Sequence, residues 1–449
     1  MVAVLIGLVL AIPLFSVWLL VYDRESQSEE ARASITEGWG GPQTISGPVL
    51  VIPYMKVIVE TSTVAGKTLS RTREVVRELT LEPEAVEIHT NVSPELRKRS
   101  IYEAIVYGAT ASGAARFAIP ADLGRFGVDR ASLDLARAEL RFGLSDPRGL
   151  GANPKVNVDG KAVRLQPGGG SGSGRGFFAF VDAASLGAQS LVVEYDYGFR
   201  GNSSLSLAPH AGDSHWTVKS SWPHPSFAGS FLPGQRSHDA TGFTADYRIG
   251  NLALGRSLVS TADKGNGDQA DGALSRSADA SAAATPSADQ VASISLVQPV
   301  DLYSRVDRAT KYGFLFIGFT FVALLMFDIV GGVRVTGVEY LLMGAAIILF
   351  FVLLLAFAEV IGFTAAYVVA SAAIAGLNTA YSAAVLGSWK RGYVIGGLLI
   401  GLYAVLYILL GLEAFSLLIG SVLLFVALAG VMYATRRIDW SGNAVETPA

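Results

Sequence analysis

The sequence predicts an α+β membrane protein with six transmembrane helices, one N-terminal and five C-terminal, and a large antiparallel β-rich, sandwich-like periplasmic domain inserted between helices one and two. Three observations carry that expectation. Six long apolar stretches stand in a one-plus-five arrangement. The segment between the first and second is polar and holds nearly all the charge. Within that segment, short β-favouring runs alternate with Gly, Pro, Asn and Asp. Mean hydropathy is +0.42 with only 16% charged residues, and the apolar residues are concentrated in the six stretches.

The first stretch, Val2–Tyr22, matches the roughly 20 apolar residues needed to cross about 30 Å of hydrocarbon with every backbone group paired. It is too long for the apolar core of a cleaved signal peptide, and the small-residue pattern Ala31–Ala33 lies well beyond it. The expectation is an uncleaved signal anchor. Asp23–Arg32 is polar and free of Pro and Gly, so the helix should continue until Gly38-Trp39-Gly40-Gly41-Pro42 stops it.

After Pro48–Pro53 the β-like runs are Val57–Thr61, Val75–Leu81, Val86–Asn91, Glu103–Thr110, Leu135–Gly143 and Lys155–Val158. They continue with Ala162–Gln166, Phe177–Val181, Ser190–Gly198, His215–Ser220, Gly242–Arg248 and Ser293–Gln298. Asp159-Gly160 between two such runs predicts a type I′ hairpin. Many short strands with turn punctuation predict an antiparallel sandwich. Thr261–Gln290 breaks the pattern: 21 of its 30 residues are Ala, Ser, Gly or Asp, so a flexible linker or insertion is expected there.

The later spans read Tyr312–Val330, Val338–Ala358, Ile361–Leu386, Gly392–Leu410 and Ala414–Thr435. The expected organisation is therefore residues 1–22 as helix one, 23–311 as the β-rich domain, 312–435 as a five-helix unit and 436–449 as a tail. Arg334, Lys390, Arg391, Arg436 and Arg437 all fall on one side of the spans, while the turns near Glu359 and Glu413 carry no Lys or Arg. Basic short loops face the cytoplasm. Both termini are then cytoplasmic, and the domain lies on the outer face of the membrane.

Composition excludes several functions. There is no cysteine, so thiolate catalysis, Cys-based zinc sites and disulfides are out. The segment between the first two spans holds 30 basic and 32 acidic residues, which is no footprint for nucleic acid. All five histidines lie in it, and four of them, His210, His215, His224 and His238, are separated by intervals of five, nine and fourteen. These intervals fit no metal-ligand spacing, and no metal or other cofactor is expected.

Ser221-Trp222-Pro223-His224-Pro225-Ser226-Phe227 is the most unusual string. The flanking prolines restrict the backbone, and Trp222 and Phe227 can anchor it in the core. A serine–histidine pair is one reading, but no Gly-x-Ser-x-Gly elbow accompanies it, so a structural corner is favoured and no catalytic residue is expected. Gly168–Gly176 lacks the Gly-Lys-Ser/Thr ending of a phosphate loop and reads as a hairpin or loop.

Ionisable residues in the spans sit at their ends, Asp328 and Glu339 on one side, Glu359 and Glu413 on the other. Glu359 is expected to pair with Lys311 or Arg308, and Asp328 with Arg334; Asn378 is the other strong polar candidate. Span four carries Ala372, Gly376, Ala380 and Ala384, with Ser371, Ala375, Thr379 and Ala383 alongside, which predicts a close helix-packing seam.

Taken together, several strings resemble the inner membrane protein CreD family of cell envelope integrity proteins. They are Trp39-Gly40-Gly41-Pro42-Gln43 with Gly47-Pro48 and Ile52-Pro53, Ser221–Phe227 with Phe231-Leu232-Pro233, and Asp307-Arg308-Ala309-Thr310-Lys311-Tyr312. Glu339-Tyr340-Leu341-Leu342, Glu359 with Gly362-Phe363-Thr364, Asn378 with Tyr381, and Arg437-Ile438-Asp439-Trp440 complete the set. The chain departs from the pattern in lacking basic residues before Val2 and in its Thr261–Gln290 insert. The resemblance implies an inner-membrane protein tied to an envelope-stress regulon and to tolerance of envelope-directed toxins, with no enzymatic activity to carry over. The function expected is non-enzymatic support of the cell envelope through binding by the periplasmic domain, with transport or lipid handling by the five-helix bundle as the alternative. Expected partners are membrane lipids and a periplasmic or inner-membrane protein.

Overall fold

The computed structural model describes residues 2–64, 67–171, 174–262, 290–298, 302–331, 335–411 and 416–436. The chain forms two compact units, Met1–Glu30 with Val300–Ala449, and Ala31–Pro299.

Helix α1, Val2–Thr36, runs unbroken through its apolar and polar parts, as the absence of breakers after Tyr22 predicts. The strands that follow are β1 (Gln43–Val64), β2 (Lys67–Leu81), β3 (Ala85–Arg99), β4 (Tyr102–Phe117) and β5 (Ala138–Leu144). Next come β6 (Lys155–Val158), β7 (Lys161–Ala162), β8 (Leu165–Pro167), β9 (Gly176–Val181), β10 (Leu191–Asn202) and β11 (Ser204–Ala208). The domain closes with β12 (Asp213–Ser220), β13 (Pro225–Gly229), β14 (Gln235–Asp239), β15 (Gly242–Gly250), the single turn α2 (Asn251–Leu254), β16 (Val259–Ala262) and β17 (Ala292–Leu296).

Two sheets share one core. The first runs β13-β17-β11-β1-β5-β9-β8, with β2 on β1 and β16 on β2; the second runs β14-β15-β12-β3-β4-β10-β6-β7. Alternate residues face inward, and aromatic rings join the layers: Phe142 of the first sheet lies edge-on to Tyr195 at 5.4 Å, and Phe177 to Tyr197 at 5.3 Å. Trp216 is fully buried, stacked 5.0 Å from Tyr247 and donating to Thr90 Oγ1 at 2.9 Å.

The sheets are mixed and not purely antiparallel: β1 pairs β11, and β3 pairs β12, in parallel. The reason is a change of layer. Only Ser203, with φ 56°, separates β10 in the second sheet from β11 in the first, so the chain enters β11 along β1 without a hairpin reversal. Four strands lie outside the predicted runs, β11, β13, β14 and β16, because they are short, edge-placed or nearly all polar. The hairpin at Asp159-Gly160 has φ of 47° and 78°, as a type I′ turn requires. Strands β8 and β9 pair as antiparallel neighbours, with Gly168 N donating to Gly176 O at 3.1 Å at the end of the ladder. Thr261 and Ala262 belong to β16. The rest of the expected insertion lies outside the described residues except Gln290, whose side chain donates to Leu254 O.

The membrane unit contains α1 with α3 (Leu302–Lys311), α4 (Gly313–Gly331), α5 (Gly337–Ile361), α6 (Phe363–Val385), α7 (Trp389–Gly411) and α8 (Ser416–Thr435). Among the described residues, five helical segments have the length and apolarity to cross a bilayer, Leu5–Thr36, Leu302–Met326, Gly337–Ile361, Phe363–Val385 and Trp389–Gly411. The sixth expected span falls on α8. Helix α3 belongs to this unit and not to the β-rich domain: its Tyr303, Val306, Ala309 and Thr310 are buried.

The seam on α6 is real, and of the two adjacent rows expected to form it only one packs against α7. Ala372, Gly376, Ala380 and Ala384 are exposed, and the neighbouring row meets α7. A Cβ at Gly396 would lie 2.2 Å from Thr379 Oγ1, and one at Gly392 would lie 2.7 Å from the Ala383 Cβ. The Gly392-x-x-x-Gly396 pair on α7 selects the row containing Thr379 and Ala383, since only there do both backbones approach closely.

Candidate functional site

The junction string Trp39-Gly40-Gly41-Pro42-Gln43 folds into a knot of backbone-directed hydrogen bonds. Gln43 Nε2 donates to Arg200 O at 2.8 Å and to Asp146 O at 3.1 Å, Asn202 Nδ2 donates to Gly40 O at 3.0 Å, and Gly41 N donates to Asp146 Oδ2 at 3.0 Å. Glycine is required here: Gly40 has φ 115°, and a Cβ on it would sit 2.9 Å from Arg200 O. The Arg148 guanidinium, bonded to both oxygens of Asp146 at 2.9 and 2.8 Å, holds that carboxyl down to about 2 despite its burial. Trp39 donates its indole N–H to Tyr107 O, with the guanidinium of Arg97 3.8 Å and that of Arg200 5.0 Å from its ring centre.

The Trp222–Phe227 string is a corner. Trp222 is half-buried and donates to Val297 O at 3.0 Å, and Val297 N donates to His224 O at 3.2 Å. Pro225 starts β13 at a sheet edge, where its missing N–H costs nothing, and Phe227 lies edge-on to Phe243 at 5.8 Å. Pro223 is half-buried, and His224 and Ser226 are exposed. The other histidines are dispersed: His210 is buried with Nδ1 2.9 Å from Glu82 Oε1, which Arg256 also contacts, and His215 Nε2 lies 2.7 Å from Asp246.

In the membrane unit, Asp307 is the hub. Trp18 Nε1 donates to its Oδ1 at 3.0 Å, and Lys311 Nζ donates to its Oδ2 at 2.6 Å. The expected Lys311–Glu359 pair is therefore not made. Lys311 is one helical turn from Asp307 and reaches it within its own helix, and Glu359 accepts from Tyr303 OH at 3.2 Å. Arg308 Nε donates to Ser304 O at 3.3 Å. Glu339 caps α5, accepting from Thr336 N at 2.6 Å. Asn378 is buried with Nδ2 unpartnered among the described residues, and Ser382, one turn on, contacts Met343 Sδ at 3.7 Å. The expected Asp328–Arg334 pair depends on Arg334, which like Glu413 lies outside the described residues. Tyr367, Tyr403, Phe316, Phe350 and Phe351 fill the space among α4 to α7, with Phe350 and Tyr403 centred 4.5 Å apart and Tyr367 OH donating to Tyr403 O at 2.6 Å.

The most site-like feature was not singled out by any motif. On the solvent face of the second sheet, one cross-strand row reads Ser237, Thr244, Lys219, Asn91, Thr110 and Gly198, from β14 to β10. Beside it, Ser93, Gly108 and Arg200 form a second row. The rows line two adjoining cavities of about 440 and 470 Å³ that share Asn91 and Ser93. The turn His238–Thr241 walls one end and the Gly151-Ala152 loop the other. Asp239 at that turn accepts from Thr241 N and Oγ1 at 2.7 and 2.6 Å, which lowers its carboxyl. Among the described residues neither Lys219 nor Arg200 forms an ion pair. The signal was present in the sequence as Asn, Ser, Thr and Gly at alternate positions, but register was needed to align it.

One large mixed β domain bracketed by apolar membrane-crossing helices defines a multi-pass membrane protein with a substantial extramembrane domain. The family model described as inner membrane protein CreD matches residues 1–441. The chain belongs to this family, and is a multi-pass inner-membrane protein. It is 31% identical over 437 residues to the inner membrane protein CreD of Escherichia coli strain K12, covering 96% of this chain and 91% of that one. Among solved structures, a zinc metallopeptidase from Deinococcus radiodurans matches 37% of this chain and 39% of its own at 8% identity and a TM-score of 0.19, and does not bear on the fold.

Proposed function

We propose that this chain supports bacterial cell envelope integrity without catalysing a reaction, by holding in the periplasm a β domain that binds an envelope component. The observation that carries this reading is the polar trough on the second sheet, along which Lys219 and Arg200 have no carboxylate partner among the described residues. Orientation rests on Arg334, Lys390, Arg391, Arg436 and Arg437 sharing one side of the spans. The exposed, separate positions of His224 and Ser226 in an edge-strand corner favour a non-catalytic role for that string.

The test uses the absence of cysteine, which makes any introduced thiol the sole label. A membrane-impermeant maleimide should label Ser237→Cys in intact spheroplasts and label Ser388→Cys only after lysis; the reverse pattern would defeat the orientation. Cells carrying the chain as their sole copy should lose tolerance of envelope stress when the trough is blocked.

Lipid handling is the second reading. It is favoured by an apolar groove of about 420 Å³ between α1 and α4, lined by Gly7, Ala11, Leu14, Phe314, Gly318 and Phe321 among others. A solute path through the bundle is disfavoured by the rings packed among α4 to α7.

A further inference from the structure

Two glycines in the trough have no explanation in the protein's own packing. Glycine in a strand interior costs roughly 0.5–1 kcal/mol relative to alanine, and it usually marks a bulge or a close approach. Elsewhere in this sheet the approach is visible: a Cβ at Gly113 would lie 1.9 Å from Glu87 O, and one at Gly201 would lie 2.5 Å from Tyr107 OH. At Gly108 a Cβ would meet nothing within 4 Å, and at Gly198 only Ala109 O at 3.7 Å. Neither has the positive φ that would call for glycine. They lie on adjacent strands, Gly108 opposite Arg200 and Gly198 opposite Thr110, at the floor of the trough. What the missing side chains make room for must come from outside.

The lining describes the visitor. Ser237, Thr244, Asn91, Thr110 and Ser93 offer hydroxyl and amide groups that both donate and accept, a match for a polyhydroxylated chain. The row crosses six strands, about 24 Å at about 4.8 Å per strand, which suits a chain better than a single ring. Lys219 and Arg200 add two positive charges with no paired acid among the described residues, and Asp239 is engaged by its own turn. The large apolar residues beneath, Phe199 and Phe243, point into the core, so the trough offers no aromatic or aliphatic anchor of the kind that dominates protein–protein hot spots.

We infer that the trough binds an acidic glycan chain, laid across β14 to β10 with its sugar rings over Gly108 and Gly198 and its anionic groups on Lys219 and Arg200. This rests on the binding role proposed above and names its ligand. Two envelope sources share the chemistry: cell-wall glycan strands, with carboxylates, and lipopolysaccharide core oligosaccharide, with phosphates.

The experiment is calorimetric titration of the full chain in lipid nanodiscs with each of these and with a neutral N-acetylglucosamine hexamer. At least one acidic glycan should bind, about tenfold or more tighter than the neutral one, and weaken as salt rises. Gly108→Thr projects into open space and suits a strand, so it should keep or raise the thermal midpoint while abolishing binding. Lys219→Gln should weaken the acidic glycan about tenfold and leave the neutral one unchanged. The preferred source is whichever acidic glycan responds to both variants. Equal binding of acidic and neutral chains, or binding indifferent to Gly108→Thr, would overturn the inference. If no glycan binds but Gly108→Thr still abolishes protection against envelope stress in cells, the ligand assignment fails and the binding role survives. If Gly108→Thr also protects normally, both fail.

Discussion

Trp18 and Asp307, 289 residues apart, are joined by a 3.0 Å hydrogen bond from the indole N–H to a carboxylate oxygen, which ties the N-terminal helix to α3. Because Lys311 occupies the other oxygen, a single carboxylate satisfies two donors. Asp307→Ala leaves both unpaired and should lower stability by roughly 1–3 kcal/mol. Asp307→Asn keeps an acceptor for Trp18 and should cost less. Thermal unfolding in nanodiscs, followed by Trp fluorescence, checks the order; equal losses would remove Trp18 from the account.

The α6–α7 contact predicts an asymmetry between glycines. Gly396→Ala drives a methyl group into Thr379 and should cost about 1–3 kcal/mol, whereas Gly376→Ala meets nothing and should be neutral or slightly stabilising through helix propensity. The same unfolding assay separates them.

Asp146 makes the junction acid-sensitive. Its carboxyl lies below the ordinary 3.8, at about 2, chiefly because of Arg148, so ionisation is favoured in the folded chain. Its contribution is complete above the ordinary value and is lost as pH falls through about 2. Asp146→Asn should therefore lower the thermal midpoint at pH 7, with the gap to wild type closing as the pH approaches about 2. A gap that stays constant with pH would assign the effect to packing.

The corner at Trp222 predicts stability effects without catalytic ones. Trp222→Ala removes a ring packed against the core and its bond to Val297 O, and should cost about 2–3 kcal/mol. His224→Ala, at an exposed position, should stay within about 0.5 kcal/mol and leave envelope-stress tolerance intact. Loss of tolerance in a fully stable His224→Ala chain would return the histidine to functional interest.

Much of the architecture is a local property and is legible in the chain. Apolar length, the polar continuation of α1 and the Asp159-Gly160 turn each depend on neighbouring residues alone, and each appears in the structure at its expected place. What failed was partner choice. Of the two partners expected for Glu359, Lys311 or Arg308, Lys311 takes the carboxylate one turn away, and Glu359 accepts from a tyrosine hydroxyl. The packing row of α6 could not be chosen from α6, because the deciding glycines are on α7.

Class, membrane-crossing helices and β content were thus written in the order of residues, since hydropathy and turn chemistry act over a few positions. The parallel pairings, the Asp307 hub and the trough depend on register between distant strands and helices, which is set by packing of the whole core. Asn91, Thr110 and Gly198 become one surface only when β3, β4 and β10 align. A strand shifted by one residue would turn each of them to the opposite face.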